Sequence, residues 1–139
     1  MTPQARTENE HTLLLAKARE AVSHAYAPYS HFRVGAAVLT AKGNIYTGVN
    51  VENASYGLTI CAERAAIFNA VAQEGPELRL KALAVICEHP GPCPPCGACR
   101  QVLAEFGPDA VVIFQGQNGL EEVPLFQLLP HTFNLPEKS

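Results

Sequence analysis

Charged residues are scarce in this 139-residue sequence, since Asp, Glu, Lys and Arg make up 17% of it and hydrophobic residues 47%. There is no excess of positive charge either, because the formal net charge is −3. Binding of a nucleic acid polymer requires clustered Lys and Arg, so a polynucleotide partner is disfavoured. The low charge fraction predicts that part of the surface is buried between subunits.

Long apolar segments are also missing. No run approaches the roughly 20 residues of a membrane-spanning helix, and the N-terminal sequence MTPQARTENEH contains no apolar signal region. We therefore expect a cytoplasmic protein with no membrane partner. Its five cysteines are expected to be reduced and to serve a metal or catalysis rather than disulfides.

Helical and strand-like patterns follow one another along the chain. A first helix is predicted to begin at a capping box of Thr7 and Glu10. Two strands, 32–39 and 45–51, are expected to form a hairpin. Helices are predicted at 62–73, 97–106 and 125–129, and strands at 83–87, 111–114 and 120–123. This order predicts a single α/β domain, residues 1–139, with a mixed central sheet of about five strands sandwiched by helices.

Three thiols lie where two of these helices are predicted to begin. Cys96 and Cys99 are three residues apart, so their sulfurs share one helical face and can reach one metal. In a regular helix, Cys61 and Glu63 would point about 200° apart. We therefore place Cys61 at the N-cap, where the backbone is not yet helical and the positive helix end favours a thiolate.

Three sulfur ligands leave one tetrahedral position open, which is typical of a catalytic zinc rather than a structural one. We predict one Zn²⁺ per chain, held by Cys61, Cys96 and Cys99, with water in the open position and Glu63 moving protons. A fourth protein ligand would make the site structural. A zinc-stapled binding module without catalysis is therefore the alternative from another class.

Cys93 is the rival ligand, because Cys93 and Cys96 also have a ligand spacing. Pro94-Pro95 hold the chain extended at about 3.1 Å per residue, which separates the two cysteines by roughly 9 Å along the backbone. We therefore expect Cys93 to stay off the metal. Cys87, in a predicted buried strand, is expected to be a small core residue, and His89, among prolines, is a weak candidate ligand.

Five further residues suit a bound ligand, and each also has a simpler interpretation. Asn50 and Glu52 leave one face of an extended segment and can hold a hydroxyl, or they are a turn Asn and a solvated Glu. Phe32 stacks on a flat ligand or belongs to the core. The backbone N–H of Ala62 is free to bind a carbonyl. Arg64 donates to the thiolates and withdraws charge, or it lies on the helix surface.

Five ordered segments over nearly the whole chain resemble the cytidine deaminases of the small homotetrameric zinc-dependent kind. They are YSHFRVGAA at 29–37, NVENASY at 50–56, the zinc segments CAER at 61–64 and PCGACRQ at 95–101, and LLP at 128–130 with Phe133. The resemblance implies a hydrolase of cyclic amidine C–N bonds. Its substrates would be cytidine and deoxycytidine, which it converts to uridine and deoxyuridine with release of ammonia in pyrimidine salvage.

The resemblance also implies residue roles. Asn50 and Glu52 would bind the ribose, Phe32 would stack on the pyrimidine, and Arg64 would donate to the thiolates. Zinc would activate water for attack at C4, while Glu63 transfers the protons.

The same resemblance implies a homotetramer with shared active sites, in which Tyr56 and Phe133 reach a neighbour's nucleoside. The alternative is that Phe133 packs on its own sheet. Among enzymes, the rival is a deaminase of another cytosine nucleoside such as blasticidin S, which shares the second zinc segment. Arg64 and the intact pair Asn50 and Glu52 favour cytidine.

Overall fold

A mixed β-sheet forms the middle of the molecule in the computed structural model, which describes residues 1–136. In chain order its strands are β1 (Val34–Thr40), β2 (Ile45–Val49), β3 (Leu80–Cys87), β4 (Val111–Gly116) and β5 (Gly119–Pro124). Across the sheet the order is β2-β1-β3-β4-β5. The pair β3 and β4 is parallel and the other neighbours are antiparallel, which confirms a mixed sheet of five strands.

Helices cover both faces of this sheet, as predicted. They are α1 (Pro3–Ala21), α2 (Ala62–Glu74), α3 (Gly97–Phe106) and the short α4 (Leu125–Leu128). All seven residues of β1 are buried because the strand faces two cores. Ala36 and Val38 face the core that includes α2 and α3, whereas Ala37 and Leu39 face α1. None of the helices within residues 1–136 is long and apolar enough to cross a membrane. That all of 1–139 forms one domain stays a prediction.

The first helix begins earlier than the sequence predicted. Thr2 is its N-cap, and the Thr2 hydroxyl accepts a hydrogen bond from the Ala5 N–H at 3.0 Å. Pro3 takes the first helical position, where its missing N–H costs nothing. The predicted capping box at Thr7 and Glu10 is therefore wrong. The Thr7 hydroxyl instead donates to the Pro3 carbonyl at 3.0 Å within the helix.

The first two strands are shorter than predicted, because a side chain replaces the backbone ladder at their shared end. Asn50 Oδ1 accepts from the Val34 N–H at 2.9 Å, and Asn50 Nδ2 donates to the Phe32 carbonyl at 2.8 Å. Strand β1 therefore starts at Val34 and β2 ends at Val49. Strand β3, by contrast, is longer than predicted, because it begins at Leu80, three residues before the predicted start.

At Gly48, the backbone of strand β2 lies directly against the backbone of α2. A Cβ placed on Gly48 would lie 2.2 Å from the Ala66 nitrogen and 2.7 Å from the Ala62 carbonyl oxygen. We expect Gly48→Ala to lower the free energy of unfolding by about 1–3 kcal/mol, because α2 must move off the sheet. Urea unfolding measures this. Gly57→Ala is the control, since a Cβ there meets nothing within 4 Å, and equal midpoints for the two variants would contradict the prediction.

Candidate active site

The three predicted zinc ligands meet where α2 and α3 begin. Cys61 is the N-cap of α2 and Cys96 the N-cap of α3, both with extended backbone, and Cys99 lies in the first turn of α3. The Cys61 and Cys96 sulfurs are 3.8 Å apart, and those of Cys96 and Cys99 are 3.4 Å apart. All three sulfurs lie within 4.8 Å of one another. Two segments distant in sequence thus converge on one point.

These distances fit a zinc ion. A Zn–S bond of about 2.3 Å places two tetrahedral sulfur ligands about 3.8 Å apart. The three sulfurs therefore match three corners of a tetrahedron. Cys93 lies outside this group. It is buried, and its N–H donates to the Gln115 carbonyl at 2.8 Å.

Hydrogen bonds among the three thiols shift the pKa values of Cys61 and Cys99 in opposite directions. A hydrogen bond with Cys99 lowers the pKa of Cys61 to about 5, against the opposing effect of burial. Arg64 lowers it further, because its Nη2 donates to Cys61 Sγ at 3.5 Å. The same hydrogen bond to Cys61 raises the pKa of Cys99. Zinc ligands must be thiolates, so binding the metal releases the remaining protons.

Glu63 is buried beside this group, in the first turn of α2. Burial raises the pKa of its carboxyl from 4.5 to about 7, and the nearby Cys61 thiolate adds to the rise. A carboxyl with a pKa near neutrality can both take and return a proton at physiological pH. Glu63 is therefore suited to general acid–base chemistry.

This raised pKa links the stability of the metal-free protein to pH. A carboxyl with a folded-state pKa of about 7 and an unfolded value of 4.5 stabilises the fold below pH 4.5, and that contribution disappears as the pH rises through 7. We expect the metal-free wild type to lose about 2.5 kcal/mol more unfolding free energy than Glu63→Gln between pH 5 and 8. Urea unfolding of both proteins after chelation measures this. Equal losses would show that Glu63 does not titrate there.

A cavity of about 410 Å³ opens next to the thiols and Glu63. Seven of the predicted site residues line it: Phe32, Asn50, Glu52, Cys61, Ala62, Glu63 and Cys96. The structure therefore brings acid–base, metal-ligating and polar side chains to one concave surface. A volume of this size falls in the range of small-molecule sites.

The two polar residues predicted for the ribose are held by hydrogen bonds within the chain. Glu52 Oε1 accepts from the N–H groups of Tyr29 and Ser30 at 2.9 and 3.1 Å, and Oε2 accepts from the Ser30 hydroxyl. The Ser30 hydroxyl contributes most to lowering the pKa of Glu52, so this residue is a fixed carboxylate. Its oxygens keep further acceptor capacity. The Asn50 amide, which ends the first two strands, keeps a second N–H.

Tyr56 and Phe133 are not brought to the cavity within the chain. Their exposed fractions are 75% and 70%, and neither lines the cavity. The Tyr56 ring meets Tyr29 edge-on at 5.9 Å, and the Phe133 carbonyl accepts from Gln101 Nε2 at 3.0 Å. The alternative in which Phe133 packs on its own sheet is therefore wrong for this chain.

Other residues of the site went unnoticed in the sequence. The Ser30 hydroxyl donates to the Glu52 carboxylate and so holds it in place. In the sequence, the only indication of this role is a hydroxyl residue two positions before Phe32. Cys93 was considered as a ligand, but it lines the cavity instead. Cys87 is half-buried rather than fully in the core, and its thiol donates to the His89 carbonyl at 3.5 Å.

Known proteins share both the sequence and the fold. The family described as the cytidine and deoxycytidylate deaminase zinc-binding region matches residues 8–115. A cytidine deaminase of Halalkalibacterium halodurans is 45% identical over 123 residues, which are 87% of this chain and 92% of that protein. The crystal structure of a Burkholderia pseudomallei cytidine deaminase superimposes with a TM-score of 0.80 at 46% identity, covering 88% of this chain and 98% of the other.

A more distant relative is a blasticidin-S deaminase of Bacillus cereus. It is 29% identical over 126 residues, which are 84% of this chain and 87% of that protein. Because the family match covers most of the chain and includes all three thiols, the chain belongs to the cytidine and deoxycytidylate deaminase family.

Proposed function

We propose that this protein is a zinc-dependent cytidine deaminase, which hydrolyses the C4–N4 bond of cytidine and deoxycytidine to give uridine, deoxyuridine and ammonia. One observation carries the proposal: a buried carboxyl with a pKa of about 7 lines the same cavity as Cys61 and Cys96, two members of a group of three thiols of zinc-ligand geometry. A zinc-stapled binding module has no need for such a carboxyl.

Cys61, Cys96 and Cys99 would hold the zinc ion, which would supply Lewis-acid activation of a water molecule. Glu63 takes one proton from the water and delivers it to N3 of the pyrimidine as the oxygen adds to C4. It then takes the proton of the new C4 hydroxyl and passes it to the amine, which leaves as ammonia as the C4–N4 bond breaks. The free N–H of Ala62, at the start of α2, donates to the base carbonyl. Arg64 donates to the Cys61 sulfur and so withdraws negative charge from the three thiolates.

The charges of the cavity favour a nucleoside over a nucleotide. Within residues 1–136, its wall includes the carboxyls of Glu52 and Glu63 and no lysine, arginine or histidine. A 5′-phosphate would therefore meet negative charge without a cationic partner. Ser30, Asn50 and Glu52 offer the sugar a polar wall, and Phe32 offers the base an aromatic one. This arrangement supports cytidine rather than deoxycytidylate.

The deciding test is the loss of ultraviolet absorbance when the zinc-loaded protein is mixed with cytidine. We expect turnover of cytidine and deoxycytidine, loss of that turnover after chelation, and recovery when zinc is returned. Deoxycytidylate and blasticidin S, tested in parallel, should be poorer substrates. No turnover of any cytosine nucleoside by the zinc-loaded protein would favour the binding module, and faster turnover of blasticidin S would reassign the substrate.

The reaction fits pyrimidine salvage, and we expect it in the cytoplasm, because the site needs reduced thiols. All five cysteines are free. We further propose a homotetramer with shared active sites. Aromatic side chains that are mostly exposed among residues 1–136 support this proposal, among them Tyr56 near the cavity and Phe133 near the C-terminus. Burying one such ring on assembly removes about 150–250 Å² from water.

If active sites are shared between subunits, two variants that are each defective should complement each other. Glu63→Gln lacks the acid–base group, and Phe133→Ala lacks the ring that would cover a neighbour's nucleoside. After subunit exchange, some sites combine Glu63 from one chain with Phe133 from another. We therefore expect the activity of the mixture to rise above that of both parents.

Mass spectrometry of the mixed oligomers provides the control for exchange, and each variant mixed with itself provides the activity baseline. The prediction is contradicted if subunit exchange is complete and Phe133→Ala alone is clearly impaired, yet the mixture recovers no activity. That result would mean that Phe133 acts within its own chain.

A further inference from the structure

Hydrogen bonds fix the backbone of Phe32, but they do not fix the orientation of its aromatic ring. The preceding residue, His31, has a φ of 59°, which is uncommon for a residue other than glycine. The Phe32 N–H donates to the Ser30 hydroxyl at 3.0 Å, and its carbonyl accepts from Asn50 Nδ2 at 2.8 Å. These bonds place the Cα atom of Phe32 at the cavity. The orientation of the ring depends on what packs against it.

His89 packs against that ring. The two ring centroids are 4.7 Å apart and the planes differ by 11°, which is a stacked arrangement. His89 Nε2 also donates a long hydrogen bond, 3.4 Å, to the carbonyl of His31. His89 is not among the residues that line the cavity, whereas Phe32 is. The imidazole therefore contacts the aromatic wall of the site without being part of it.

The chain brings His89 to this place by extending the pairing of β1 with β3. The last ladder partners are Val34 and Cys87. One residue further, the Glu88 N–H donates to the Arg33 carbonyl at 3.2 Å. The Arg33 guanidinium contacts both oxygens of the Glu88 carboxylate, at 2.9 and 2.7 Å. A two-point contact of this kind has a defined geometry, so it fixes the backbone from which the His89 ring projects.

We propose that His89 is a positioning residue, which holds the Phe32 ring in the orientation that lets it stack on the pyrimidine base. The inference rests on the proposed function, because it assigns a base to the cavity. His89 acts through Phe32, and its hydrogen bonds, to the His31 carbonyl and from the Cys87 thiol, involve neither Glu63 nor the three predicted zinc ligands. Its loss should therefore weaken binding of the nucleoside and leave the chemical step unchanged.

The test compares His89→Ala with His89→Phe, both loaded with zinc. Stacked aromatic pairs contribute about 0.5–1.5 kcal/mol, which corresponds to roughly 2- to 12-fold in affinity. We expect His89→Ala to raise the KM for cytidine and the Kd for uridine, measured by calorimetry, by that factor, with kcat within about twofold of wild type. His89→Phe keeps a flat ring and should bring both constants back to within about twofold. His24→Ala, at an exposed residue that ends the 3-10 turn 22–24, is the control and should match wild type.

A double-mutant cycle separates positioning from a general structural role. Because His89 acts through the Phe32 ring, His89→Ala should have no further effect on KM in a Phe32→Leu background. An unchanged KM in His89→Ala would overturn the inference. So would an equal effect in both backgrounds, or a fall in kcat accompanied by loss of zinc. A wild-type protein that neither deaminates cytidine nor binds uridine would refute the proposed function instead, and the inference with it.

Discussion

Glu63→Gln is expected to fold and to bind one zinc per chain, but its kcat on cytidine should fall by about 10²–10⁴-fold or more. A general acid–base group usually contributes a factor in that range. Glutamine keeps the shape and fills the same buried space, but it can neither accept nor deliver the proton. One residue here serves several proton transfers in sequence, so the loss is expected to reach or exceed the upper end of that range.

The measurement is steady-state deamination together with metal analysis of the same sample. Glu77→Gln is a matched control, because it makes the same chemical change at an exposed carboxyl away from the cavity. A Glu63→Gln protein within tenfold of wild type would exclude Glu63 as the group that moves protons. Loss of zinc in that variant would show that the carboxyl supports the metal site as well.

Cys96→Ser is expected to lose zinc, and with it all activity, whereas Cys93→Ser keeps a full complement of zinc. The Cys96 sulfur is in contact with those of both Cys61 and Cys99, and a serine hydroxyl does not ionise to replace a thiolate. Cys93 lies outside the group of three, with its backbone held by a hydrogen bond to Gln115.

Metal content per chain, measured on protein purified without added zinc, distinguishes the two variants. Circular dichroism of both verifies that the comparison concerns folded proteins. Equal loss of zinc in Cys93→Ser and Cys96→Ser would mean that the ligand assignment is wrong. Equal retention would mean that another group takes the place of Cys96.

The features that sequence predicted well are local ones. The helix from Gly97 to Phe106 was predicted with its observed bounds, because its first turn carries the ligand spacing of Cys96 and Cys99 and a Gly-Pro pair closes it. The cap position of Cys61 followed from the helical angle between it and Glu63 alone. In both places, residues a few positions apart determine the structure.

The features that sequence missed depend on contacts between distant segments. The residues next to Asn50 do not indicate that its side chain ends two strands by hydrogen bonding to Val34 and Phe32. Likewise, the residues next to His89 do not indicate that its ring stacks on that of Phe32, which is far away in the sequence. The start of α1 was missed for a different reason. Two possible caps compete there, and Pro3 beside Thr2 fits the helix start better than Thr7 does.

Both metal-ligating caps, Cys61 and Cys96, sit at the positive ends of helices, and this affects the electrostatic balance of the centre. Three thiolates and one Zn²⁺ leave an excess of one negative charge. Each helix end contributes about half a positive charge, so two of them offset roughly that amount. Because these partial charges belong to backbone amides, they have no pKa and carry no mobile counterion. Much of the neutrality of the centre is therefore built into the peptide backbone, where pH has little influence on it.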